Sequence, residues 1–391
     1  MAECGRVVWG GNMKRSDGRI LTTHTGSLPR AKDMLELMVN AQEDRDAQAE
    51  AIDARARTAV ADVVRKQVEA GLDVVSDGEQ SKPSYATYVK DRLTGFDGEE
   101  RTQETPQSDQ APFPGYRPVQ FGTPTAVRPT CSGPIAWRDF GAVEKDIKSF
   151  KAATDGAKIE EPFMTAASPG VIARFLENRY YPSHEAYLWA LAEVMKDEYE
   201  AIANAGFVVQ IDCPDLASAR TTIFQHLTNE EFVSVVVQHL EVVSYATAKV
   251  PEEQLRLHLC WGNREGPHHH DIPLREIIEP VLATRATGIS FPAANPRHAH
   301  EWKIWEEIEL PADMVLLPGF IDTTTNFIEH PELVAQRIVQ YAGVVGRERV
   351  IASSDCGMST FAGGSRVDGD ISWAKLGALV EGARLASSEL W

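Results

Sequence analysis

Two segments of the chain carry side chains that could grip a metal ion: His258-Leu259-Cys260 and, far downstream, Cys356. On a strand, residues i and i+2 face the same side, so His258 and Cys260 can reach one ion together. Imidazole and thiolate are donors that suit zinc. Taken alone, a His-x-Cys pair is equally a core histidine beside a buried free thiol. Cys356 changes that balance if the fold brings distant strand ends together. Three protein donors and one open position is the pattern of catalytic zinc, whereas structural zinc is usually closed by four. The run His268-His269-His270 offers more imidazoles, between Gly266-Pro267 and Asp271-Ile272-Pro273. Three consecutive side chains cannot comfortably share one ion, so it reads as a solvated loop or a gating contact. His298 and His300 read as support for the ligands, a substrate clamp or part of a helix-capping loop. Cys4 and Cys131 have no nearby partners and read as inert.

Apolar runs at 20–25, 73–77, 161–165, 207–212, 256–260, 288–291, 315–321 and 349–353 predict eight short strands buried on both faces. Amphipathic stretches at 45–70, 184–205, 230–248 and 331–344 predict helices between them. The first places Ile52, Ala56, Ala59, Val60, Val63 and Val64 on one stripe. Gly71 and Gly206 stand where a helix should stop before a strand. Eight strand–helix units in order predict an α/β fold, a (β/α)8 TIM barrel, with a doubly wound open sheet as the other arrangement that alternates. The segment 94–129 breaks the pattern. It holds six prolines among Gly, Gln, Asp and Thr, and reads as a long Pro-rich insertion across one mouth of the barrel. No other boundary is visible, so residues 1–391 read as a single catalytic barrel domain.

Barrel chemistry sits at the C-terminal ends of the strands. Polar residues gather there: His24, Ser27 and Arg30 after the first strand, Asp77 and Glu79 after the second, Asp212, Cys213 and Asp215 after the fourth. His258 and Cys260 close the fifth. Asn295, Arg297 and Glu301 follow the sixth, Asp322 and Thr324 the seventh, and Asp355 and Cys356 the eighth.

The formal charge is −18, from 39 basic and 57 acidic residues. That balance repels a phosphate backbone and argues against nucleic-acid binding. No apolar run approaches the ~20 residues of a membrane span. Residues 1–18 lack the apolar core of a secretory signal. Five cysteines are too few, and odd in number, for a disulfide framework. These features predict a soluble cytoplasmic enzyme or binding protein with reduced thiols, with small-molecule partners and a homo-oligomer as a possible assembly.

The residues named above resemble the catalytic barrel of cobalamin-independent methionine synthase, in order, over about 20–360. Thr22-Thr23-His24-Thr25-Gly26-Ser27 is similar to that family's first-strand segment, whose Gly-Ser backbone and hydroxyl hold the amino-acid thiol. Asp77-Gly78-Glu79, Gln210-Ile211-Asp212-Cys213-Pro214, His258-Leu259-Cys260 and Asp355-Cys356-Gly357 resemble its other signatures, the last two being its zinc motifs. Among single-barrel relatives the epoxyalkane:coenzyme M transferases look most similar, through Cys260-Trp261-Gly262-Asn263, Asn295-Pro296-Arg297-His298 and Phe327-Ile328-Glu329-His330-Pro331. Three positions depart from the methionine synthase pattern. A zinc-ligating glutamate falls on Pro292, a proton-handling histidine on Thr324, and an acidic residue six positions past Asp212 on Ser218. The losses argue against homocysteine as acceptor, because an ammonium group needs carboxylate partners.

The resemblance implies a Zn2+ site of His258, Cys260 and Cys356. It implies an enzyme that holds a substrate thiol as a zinc-bound thiolate for attack on an alkyl donor, an epoxide or a methyl group. Asp212, Glu79 and His24 would orient or protonate the partners. Ser27, Arg30, Asn295, Arg297 and Asp322 are expected at the substrates, with Arg30, Lys82, Arg220 and Arg297 as cations for a sulfonate. The alternatives are a zinc hydrolase or lyase working through hydroxide, a methionine synthase-like methyltransferase, and a zinc-stabilised scaffold without catalysis.

Overall fold

Strands apolar on both faces must be covered on both, and here they close on one another inside a layer of helices. The structure is a computed structural model that describes residues 13–41, 45–100, 107–117 and 128–391, and of residues 45–49 the backbone alone. Cys4, Pro106, Pro118 and Pro124 lie outside the described residues. The elements run β1 (Leu21–Thr22), α1 (Lys32–Asn40), α2 (Arg45–Glu69), β2 (Val74–Ser76), α3 (Gly141–Thr154), β3 (Glu161–Ala167), α4 (Pro169–Phe175), α5 (His184–Asn204) and β4 (Val208–Asp212). Then come α6 (Asn229–Ala246), β5 (Leu255–His258), α7 (Leu274–Leu282), β6 (Gly288–Phe291), β7 (Val315–Ile321), α8 (Pro331–Val345), β8 (Ile351–Ser354) and α9 (Gly369–Leu390).

The eight strands pair in parallel, in the order β1-β8-β7-β6-β5-β4-β3-β2. Between β1 and β2 the seam is bridged by the Asp73 N–H donating to the Thr22 carbonyl at 3.1 Å. The Thr23 hydroxyl adds a bond to the Val74 carbonyl at 3.0 Å. The result is a (β/α)8 barrel in which a short 3-10 turn, Glu301–Glu306, stands where the sixth helix would be.

Leu21, Val74, Phe163, Val208, Val315, Leu317 and Ile351 fill the barrel interior with Met13. The larger core lies between strands and helices, where α2 buries its stripe of Val60, Val63 and Val64 against Leu72 and Val75. Gly71 (φ +85°) and Gly206 (φ +90°) follow α2 and α5 in the left-handed region that ends helices without a Cβ penalty. The insertion joins β2 to α3. Its described part packs on the loop after β5: the Tyr116 hydroxyl donates to the Glu265 carbonyl, and buried Asp109 pairs with Arg264 at 3.1 Å.

Candidate active site

β5 ends at His258, and the alternation of the chain returns Cys260 to the same side two residues later. β8 delivers Cys356 from the opposite end of the sequence. The two sulfurs stand 3.7 Å apart. A ring nitrogen of His258, Cys260 Sγ and Cys356 Sγ lie within 4.8 Å of one another. His258 Nδ1 is 3.2 Å from the Ser290 hydroxyl, whereas Nε2 is buried and has no hydrogen-bond partner among the described residues. A buried imidazole nitrogen left without a bond is costly, and this ring stands in one group with two thiols. The Cys356 thiol holds the Cys260 thiol well below the ordinary range, against the opposing effect of burial and with help from His258. The proton they share raises Cys356. The Gly262 N–H points at Cys260 Sγ at 3.2 Å. One thiolate, a second thiol and an orphaned imidazole form a donor set of the kind that holds zinc.

The cavity lined by these three residues is also lined by Glu79, Asp212 and Ser27. Glu79 sits at φ +55°, the one non-glycine in the left-handed region among the described residues. Such strain persists only when the surroundings impose it. Here the Glu79 N–H donates to Asp77 Oδ1 at 3.0 Å, and the Thr165 hydroxyl holds Oε1 at 3.0 Å. A Cβ on Gly26 would come within 2.8 Å of that oxygen, so only glycine admits the carboxyl. Oε2 is buried without a hydrogen-bond partner among the described residues. Burial, and then the Asp212 charge, push the Glu79 pKa upward. Asp212 is also raised by burial, opposed by His258. Its Oδ1 accepts from Gln210 Nε2 at 2.7 Å. Two carboxyls driven away from ionisation beside a nucleophile site are suited to holding and moving a proton.

The remaining expected residues do not meet at the cavity. His24 is buried behind it, with Nε2 at 2.8 Å from Gln67 Oε1 and Nδ1 accepting the Gly26 N–H; burial lowers its pKa to about 4. Arg30 spends its guanidinium on the carbonyls of Ser359, Glu79 and Lys82 at 2.6–2.8 Å. It ties the first, second and eighth loops together and leaves no fork for an anion. Asn295 is recruited by Asp355, whose carboxylate takes the N–H groups of Ala293, Ala294 and Asn295. Asp322 accepts from the N–H and hydroxyl of Thr324 and so caps its own turn. Arg297 is exposed and bonds the His269 carbonyl.

His298 is likewise engaged elsewhere. It stacks on Trp261 at 4.1 Å and is clamped between Asp271 (3.0 Å) and Glu301 (2.9 Å). Burial opposes its charge, but the two carboxylates outweigh it and push the pKa up to about 9. A pKa raised on folding stabilises fully below the free value of 6.5 and loses that contribution as pH climbs through about 9. Thermal melts across this window should therefore show stability declining in the parent protein and declining less in His298→Gln. Equal slopes would remove the clamp as the cause.

The upper wall was not legible in the sequence. Tyr85, Phe175 and Phe361 form an aromatic triangle with centroids 5.9–6.0 Å apart. Arg128 and Arg174 lie over the Phe175 ring at 5.0 and 5.2 Å. These residues come from α4 and from loops far apart in the chain, and no local pattern marks them. α4 itself begins at a recognisable cap, with Ser168 accepting the Val171 N–H and Pro169 in the first turn.

The chain matches the family model of the cobalamin-independent synthase catalytic domain over residues 20–136 and 173–373. It is 25% identical to a methionine synthase of Saccharolobus solfataricus over 375 residues, 94% of this chain and 95% of that protein. With a methionine synthase of Thermococcus kodakarensis it shares 23% identity over 370 residues, 94% of each chain. The solved structure of a B12-independent methionine synthase from a Shewanella species, in complex with selenomethionine, superposes with a TM-score of 0.69 at 19% identity. That superposition covers 95% of this chain and 99% of the other, and it supports the barrel fold.

Proposed function

The chain belongs to the cobalamin-independent synthase family through its catalytic domain, and we propose that it is a zinc-dependent transferase moving an alkyl group from a small donor to the sulfur of a small thiol. The observation that carries this reading is the meeting of His258, Cys260 and Cys356 at the barrel mouth, in one cavity with Glu79 and Asp212. Held by those three residues, zinc would supply the Lewis acidity that keeps a substrate thiol ionised near neutral pH. The chain's own residues do the rest. Attack of sulfur on carbon breaks the bond from that carbon to its leaving oxygen or nitrogen, and the leaving atom needs a proton. Glu79, raised toward its protonated form by burial and by Asp212, gives its proton to the leaving atom, and the proton released when the substrate thiol ionises returns to the Glu79–Asp212 pair, so no net proton is gained or lost. Tyr85, Phe175 and Phe361 keep water from the reacting sulfur.

Arg174 supports a thiol that carries an anionic group. Its guanidinium lines the cavity and donates to the Ser218 hydroxyl at 2.5 Å. Among the described residues it pairs with no carboxylate, and burial works against its charge. An incoming sulfonate or carboxylate would satisfy it, whereas an ammonium would be repelled. This favours an epoxide-opening or methyl-accepting reaction of a thiol that carries an anionic group over one of a neutral thiol.

The test is to give the zinc-loaded protein 2-mercaptoethanesulfonate, homocysteine or neutral 2-mercaptoethanol, with 1,2-epoxypropane or a methyl donor, and to count thiol lost per product. One thiol should disappear per product. Arg174→Ala should raise KM for the sulfonate about 10- to 100-fold, as for the loss of a charge-assisted hydrogen bond, and barely change it for the neutral thiol. Product without thiol loss would favour zinc-hydroxide hydrolysis, and an equal KM change for both thiols would remove Arg174 as the reader of charge.

A further inference from the structure

The run His268-His269-His270 divides its work. His268 turns inward, with Nδ1 at 2.7 Å from Asp271 and Nε2 at 3.1 Å from the Arg264 carbonyl. His269 and His270 turn the other way, toward Asp109 of the Pro-rich insertion. Asp109 Oδ1 lies 3.4 Å from His269 Nδ1 and 3.8 Å from His270 Nδ1. The three ligand atoms lie within 4.8 Å of one another. From these contacts we propose that Asp109, His269 and His270 form a second divalent-cation site, for zinc or a similar first-row ion, which fastens the insertion to the loop after β5.

Donor chemistry and spacing both support this. Two imidazoles and one carboxylate suit a borderline first-row cation better than magnesium or calcium, which prefer oxygen. Donors about 2.0–2.1 Å from a tetrahedral ion stand roughly 3.3 Å apart, so the 3.4 Å pair is already in place and His270 must close by a few tenths of an ångström. Asp109 is fully buried, which fixes its carboxylate: Oδ2 takes Arg264 at 3.1 Å and Oδ1 takes the His270 N–H at 2.6 Å. The His269 and His270 side chains remain 40% and 48% exposed, which leaves room for water to complete the coordination. Phe113 packs edge-on against His269 at 5.8 Å. Arg297, bonded to the His269 carbonyl at 3.2 Å, steadies the same loop.

The position gives the ion a consequence for the active site. Arg264, held by Asp109, lines the cavity, and so does Gln107, two residues before Asp109. An ion joining Asp109 to the two histidines would hold this part of the insertion over the mouth. The site shares no ligand with the His258–Cys260–Cys356 centre and does not rest on the reaction assigned to it.

Equilibrium dialysis of the full-length protein against zinc, followed by metal analysis, tests the proposal. The parent should bind about two zinc ions per chain and His269→Ala/His270→Ala about one, with the sulfur-ligated ion retained. Cobalt distinguishes the sites: the ion lost in the double variant should carry no thiolate-to-cobalt charge-transfer band. Zinc added beyond the first equivalent should also slow proteolytic cleavage in 107–117 in the parent but not in the variant. The same zinc content in both proteins at saturation, or cleavage insensitive to zinc in the parent, would overturn the proposal. Both imidazoles lie at the surface, so their removal leaves the core intact; an unchanged melting temperature checks this.

Discussion

Cys356→Ser should leave the barrel folded but strip zinc from the sulfur centre and reduce turnover below detection. Cys356 supplies one of three donors, and the remaining His258 and Cys260 cannot close a zinc site by themselves. The change is nearly isosteric, and Cys356 contributes little apolar packing beside the strands that surround it. The second sulfur also lowers the Cys260 pKa, so its loss weakens the remaining cysteine as a ligand. Metal analysis, with the Asp109–His269–His270 site removed by substitution, reads the result directly: about one zinc per chain in the parent and almost none in the variant. Full occupancy after Cys356→Ser would place the metal elsewhere and with it the whole catalytic reading.

Asp212→Asn should keep the zinc and the fold and lower turnover about 10²- to 10⁴-fold, the usual scale for a group that handles a proton. Asparagine preserves the shape at the end of β4 and can still accept from Gln210 Nε2. It removes the charge that, after burial, raises Glu79 most. The Glu79 pKa should then fall, and the pH above which residual activity declines should move downward with it. Stability should hold or rise, because a buried carboxylate beside a second one is relieved. Circular dichroism melts and pH–rate profiles of Asp212→Asn and Glu79→Gln separate these outcomes. A chain that unfolds on Asp212→Asn, with zinc lost, would make Asp212 a packing residue.

What the sequence by itself determined is the local and periodic part of the molecule. The runs at 288–291 and 315–321 became β6 and β7 with the same limits, and the stripe at 45–70 became α2. Gly71 and Gly206 end their helices as their positions require. Burial on both faces of a strand, or on one stripe of a helix, leaves a mark in one dimension that can be read without knowing the neighbours. His258 and Cys260 belong to the same class, since i and i+2 on a strand share a side in any fold. Cys356 joined them because eight consecutive strand–helix units imply closure of β8 beside β1.

Tertiary structure alone decided which polar strand ends face the cavity. Arg30, Asn295 and Asp322 stand at the expected ends, yet nearby backbone carbonyls and N–H groups claim them, and His24 is taken by Gln67. Arg174, Tyr85 and Phe361 reach the mouth from segments with no pattern of their own. Asp109 meets His269 across 160 positions of chain, as neither segment could reveal separately. A polar side chain goes to whichever buried group lacks a hydrogen-bond partner. That partner is set by the distance between loops, and the distance exists only once the barrel has closed.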